Sequence, residues 1–181
     1  IFTKSNNAPV VAQLLSYMSV SQARAGDLAG AAATNQRMLE LMPGNIGALR
    51  NLAIISRDLG KPDDAMNYLN QAIAASAGNV ADLKPLLQFA AELYQAKGDT
   101  TQVAAQYEKI VELDPTDLNA LINLANLYTA TANDAKLIEI EQKLIALDPQ
   151  NYQYPLGMAQ ALARQGRTQE ALISAQQARA L

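Results

Sequence analysis

Apolar residues recur at spacings of three and four through most of this chain, which places them on one face of each of a series of α-helices. The ridges are Leu15 and Met18, Leu49 and Leu52, Leu87 and Ala90, Leu121 and Leu124, and Pro155 and Met158. Gly26, Gly60, Gly98 and Gly166 each close an apolar-periodic segment, and Ala132 stands where the series would otherwise break, giving spacings of 34, 38, 34 and 34 residues. Each turn leads into a polar start and a second apolar segment, as in Gly26-Asp27-Leu28, Gly60-Lys61-Pro62-Asp63-Asp64 and Gly98-Asp99-Thr100. A glycine ending one helix and an Asp or Thr capping the next is the chemistry of a tight turn between antiparallel helices. Each unit therefore reads as helix A, short turn, helix B, and the fold class as all-α.

The far end of the unit is marked by Leu41-Met42-Pro43-Gly44-Asn45, Leu113-Asp114-Pro115-Thr116-Asp117 and Leu147-Asp148-Pro149-Gln150-Asn151, where Pro cannot continue a helix and Asn or Asp caps the next. In Ser76-Ala77-Gly78-Asn79 the Pro is replaced, but Gly78 keeps the breaker. This outline resembles the tetratricopeptide repeat family, whose period is 34 residues. The best-matching stretch is Gly98 to Pro115, with Val103, Tyr107 and Ile110 where the family favours Ala, an aromatic and Ala. The resemblance implies a right-handed superhelical solenoid of stacked antiparallel helix pairs. It divides the chain into an N-terminal tail and cap at residues 1–8 and a solenoid at 9–181, with repeats at about 12–45, 46–79, 84–117, 118–151 and 152–181.

On the family scheme the mid-A position carries Ser19, Ala53, Ala91, Ala125 and Ala159, small as close helix packing demands. The early helix-B position carries Ala31, Ala65, Val103, Leu137 and Ala171. Three departures stand out. Four extra residues, Val80-Ala81-Asp82-Leu83, precede the third unit as either an extended helix or a longer loop; Asn35 and Glu141 stand where Leu or an aromatic would pack, so those repeats are expected to be looser.

Composition narrows the function classes. The net charge of −3 and the absence of a basic stripe argue against nucleic acid. With no Cys and no His, thiol nucleophiles, imidazole triads, disulfides and thiolate or imidazole metal sites are excluded. The 17 carboxylates fall mainly at caps and outer faces, Asp63-Asp64, Glu139 and Glu141 among them, and no Gly-rich phosphate loop occurs. The expectation is no enzyme, no cofactor and no metal. No stretch reaches the ~20 apolar residues of a membrane span. A soluble chain of the bacterial cytoplasm or cell envelope is expected, beginning at Ile1 inside a longer polypeptide or after a processed segment, and continuing past Leu181 or covered there by a neighbour.

The resemblance also implies a concave wall of A helices. Its candidate partner-binding residues are Tyr17, Arg24, Arg50, Asn51, Arg57, Phe89, Glu92, Asn119, Asn123, Asn126, Gln160 and Arg164. Amides that donate and accept suit a peptide backbone, and Arg24, Arg50, Arg57 and Arg164, four of the seven arginines, favour an acidic segment. The plainer alternative for each is a solvated polar face. Tyr17 and Phe89 are aromatics that either meet a partner or pack on an adjacent helix. The family's clamp for acidic chaperone tails maps onto Ser16, Val20, Asn51, Pro85 and Phe89, of which only Asn51 matches. The leading function is a scaffold binding a protein or peptide in the groove. The alternatives are a self-assembly module joining through repeat ends, and a regulatory or targeting arm of a larger bacterial envelope protein.

Overall fold

The computed structural model describes residues 8–181, all in helices or the turns between them. Of the tail and cap expected at residues 1–8, residues 1–7 lie outside the described residues, and Ala8 already opens the first helix. Ten helices follow in order: α1 Ala8–Arg24, α2 Leu28–Leu41, α3 Ile46–Asp58, α4 Pro62–Ala75, α5 Val80–Ala96, α6 Thr100–Leu113, α7 Leu118–Ala130, α8 Asp134–Leu147, α9 Gln153–Arg164 and α10 Thr168–Ala180. The four extra residues before the third unit are helical, so α5 is an extended helix with Pro85 inside it.

The turns follow their chemistry. Asp27, Asn45, Asp99, Asp117 and Asn133 each accept, through Oδ1, the backbone N–H three residues on, at 2.8–3.4 Å, satisfying donors that a helix start leaves open. Gly26, Gly60, Gly98 and Gly166 sit at φ between +70° and +82°, and Ala132 takes the same left-handed conformation at +52°.

The described residues fall into two compact units, divided between Leu93 and Tyr94. In the first, α1 packs on α2, α2 on α3 and α3 on α4; in the second, consecutive helices pack from α6 to α10. The small mid-A residues Ser19, Ala53, Ala91, Ala125 and Ala159 and their helix-B counterparts are all buried. Around them lie the fully buried Leu49, Leu52, Leu69, Leu86 and Leu87 of the first unit and Leu121, Leu124, Leu137, Leu144 and Leu162 of the second. These side chains do most to hold the helix pairs together, each contributing about 2–3 kcal/mol by burial. The chain is thus an all-α solenoid of stacked helix hairpins.

Three expectations are corrected. Met18 is half exposed rather than part of the α1 ridge; it joins Val10, Leu14 and Tyr17, four and three residues apart, in an apolar strip facing outward. Glu141 is buried, unlike its exposed neighbour Glu139, because its place on α8 faces α9. Asn35 does not loosen its repeat: it is completely buried and hydrogen-bonded.

Candidate functional site

In the first unit, α1 and α3 bring Val20, Arg24, Asn51 and Ile54 together. With Ser19, Ala23 and Ile55 they line an open hollow of about 280 Å³. Arg24 lies in the last turn of α1, where a cation also meets the negative end of the helix dipole. Among the described residues neither Arg24 nor Arg50 has a carboxylate partner, and both are exposed. Arg57 is different: its guanidinium bonds Asp58 at 2.9–3.0 Å, reaches Glu92 at 4.0 Å and lies 5.2 Å over the ring of Phe89.

That last contact corrects the reading of Phe89 as a partner-facing aromatic. The ring is 7% exposed, packed into the first unit and lidded by Arg57, so it belongs to the core. Tyr17 stands out at 66% exposed, its hydroxyl accepting from Gln13 at 3.4 Å. Asn51 is half-buried and committed inward, donating to Asn35 Oδ1 at 3.3 Å.

In the second unit the candidate amides Asn123 and Asn126 share a hollow of about 260 Å³ with Gln95, Thr100, Tyr107 and Leu127. Asn123 donates to the Asn119 carbonyl of its own helix at 2.8 Å, and Asn119, Asn126 and Gln160 are exposed. Arg164 is held at 2.6–2.8 Å by Asp134. Two of the four arginines expected to make the wall positive are therefore neutralised by neighbours, and the free ones belong to the first unit.

Two polar clusters escaped the sequence reading. In the first, Tyr128 donates to Glu108 Oε1 at 2.5 Å and Lys136 pairs with the same carboxylate while lying 5.5 Å from the Tyr128 ring. Burial pushes Glu108 up, but the bonds from Lys136 and Tyr128 outweigh it and hold the carboxyl below its usual range; burial and Glu108 push the Tyr128 phenol well above its own. This triad ties α6, α7 and α8 and borders two hollows of about 290 and 310 Å³. Its members lie 20 and 28 residues apart, and no local spacing betrays them. The second cluster is Ser19, Asn35 and Asn51, linked in steps of 16 residues. That step joins successive helices, and a search for polar residues along it would have found them.

No group of three His, Cys, Asp or Glu side chains that could hold a metal ion occurs among the described residues, and no helix there is long and apolar enough to cross a membrane.

Family models of the tetratricopeptide repeat match residues 22–88 and 85–117, together 96 of the 181 residues. The chain belongs to the tetratricopeptide repeat family. Among solved structures it is similar to MamA AMB-1, with a TM-score of 0.65 at 17% identity over 96% of this chain and 92% of that one. A second MamA structure gives 0.63 at 18% identity, over 93% and 90%. YrrB, described as a TPR protein with an unusual peptide-binding site, gives 0.60 at 14% identity, over 91% and 82%. At such identities the likeness establishes the fold. None of the curated proteins is a significant match to this chain.

Proposed function

We propose that this tetratricopeptide chain is a non-catalytic protein-interaction scaffold, and that the α1–α3 face of its first unit receives an extended peptide segment with an aliphatic side chain beside a carboxylate. The observation that carries this reading is the hollow of about 280 Å³, where the apolar surface of Val20, Ala23, Ile54 and Ile55 adjoins Arg24 and no acidic side chain. An aliphatic group removes apolar surface from water there, and a neighbouring carboxylate accepts a charge-assisted bidentate pair from the guanidinium. The peptide-binding description of YrrB, a relative in fold, is consistent with this use of the architecture.

Fluorescence anisotropy with a panel of labelled peptides tests it. Acidic-aliphatic peptides should bind the wild-type chain, whereas basic and all-polar peptides should not. Arg24→Glu should weaken the acidic-aliphatic peptides by about tenfold or more, the loss of a charge-assisted pair. Equal binding across the panel, or an Arg24→Glu variant that binds as the wild type does, sinks the proposal.

A further inference from the structure

We propose that Glu141 is a proton-operated latch on the joint between α8 and α9: protonated, it holds the α9–α10 hairpin closed on α8, and ionised, it favours opening of that joint. Glu141 is 6% exposed, and its Oε2 is buried without a hydrogen-bond partner. Its carboxyl lies against α9 at Gly157, where a Cβ would fall 2.3 Å from Oε1, so the missing side chain is what makes room for it.

The first unit shows what this register requires. There Asn35 donates to Ser19 Oγ and to the Ala31 carbonyl, and accepts from Asn51. The residues in register with Ser19, Asn35 and Asn51 are Ala125, Glu141 and Gly157, again in steps of 16. Ala125 has no hydroxyl and Gly157 no side-chain amide, so an ionised Glu141 finds no counterpart of either partner. A protonated carboxyl, like the amide of Asn35, is a donor; a carboxylate is an acceptor only.

Neighbouring charges do not relieve it. On α8 itself Lys136 is paired with Glu108, and Asp134 with Arg164 of α9. On α7 Tyr128 is bonded to Glu108, and neither Glu139 and Lys143 of α8 nor Tyr154 of α9 bonds Oε2. Burial pushes the Glu141 carboxyl up to about 7. With the closed-state value raised above that of the open chain, the closed joint is fully stabilised below the open-state value and loses that stability as pH rises towards about 7.

The test is amide hydrogen exchange on the full chain, corrected for intrinsic rates, at about pH 5.5 and about pH 8. In the wild type, the opening constant of α9 and α10 amides should rise on the order of 30-fold across that interval, while α1 and α2 amides change little. Glu141→Gln should abolish the rise, and Glu141→Leu, which places the residue type of Leu69 in that register, should do the same should the Gln variant fold poorly. Glu139→Gln, on the exposed side of the helix, should retain it. A flat wild-type response, an undiminished rise in both Glu141 variants, or an equal rise in α1 and α2 would overturn the proposal.

Discussion

The α2–α3 joint and the α8–α9 joint place a polar side chain at the same buried register, yet one is closed by hydrogen bonds and the other is not. At the first, the amide of Asn35 donates to Ser19 and the Ala31 carbonyl and accepts from Asn51. At the second, Glu141 faces Ala125 and Gly157 in register and leaves Oε2 unpartnered. Burial of a polar group costs little when its bonds are made and several times more when they are not, most of all for a charge. The contrast teaches that a polar residue in a repeat core has to be judged with the two residues 16 positions either side of it.

The strongest way to break the contrast is to give the first joint the chemistry of the second. Asn35→Asp keeps the shape but exchanges a donor for a buried carboxylate. It should destabilise the chain by about 2 kcal/mol near pH 8, the cost of a buried charge that the Ser19 hydroxyl and the Asn51 amide satisfy only in part. Ionisation disfavours the folded state, so the aspartate's folded-state value is raised. The loss should therefore shrink as pH falls towards the unfolded value of about 4. Urea unfolding at both pH values checks it, and a pH-independent loss would mean that Asn51 and Ser19 have re-formed around the carboxylate.

Much of the fold was legible because the repeat enforces it. The 34-residue spacing of Gly26 and Gly60, and of Gly98, Ala132 and Gly166, together with five small mid-A residues, leaves few ways to pack the helices. The site was less legible. Facing residues were assigned by register, but register does not say which charges find each other: Arg57 lies over Phe89 and beside Asp58, and Arg164 is taken by Asp134. Register does place Glu141, four residues after Leu137 and three before Leu144, on the packed side of α8 and Glu139 off it, but it does not say whether a buried carboxyl finds a donor there.

The converse substitution sharpens the comparison with a smaller effect. Ala125→Ser restores, in the register of Ser19, the hydroxyl that the second joint lacks. A hydroxyl bonded to the Glu141 carboxylate favours the charged form, moving its titration down from about 7 towards the usual carboxylate range. Near pH 8 the gain should be about 1 kcal/mol, the net worth of one such hydrogen bond, and should vanish in a Glu141→Leu background. Urea unfolding of the two single variants and the double variant measures that coupling.

The smallest effect distinguishes the A-to-B turns of the two units. Both turns of this kind in the first unit use glycine, Gly26 and Gly60, whereas in the second unit Ala132 adopts φ +52°. A Cβ at Gly26 or Gly60 would meet nothing within 4 Å, so backbone conformation rather than space decides the preference there. The left-handed region costs an L residue about 1–2 kcal/mol, offset in part by the greater freedom glycine has in the unfolded chain. Ala132→Gly should therefore stabilise the chain by about 0.5 kcal/mol, and Gly60→Ala should destabilise it by a similar amount. Thermal unfolding resolves the pair best when both variants are read against the same wild-type midpoint. A destabilised Ala132→Gly would mean that the methyl of Ala132 contributes more than its backbone costs.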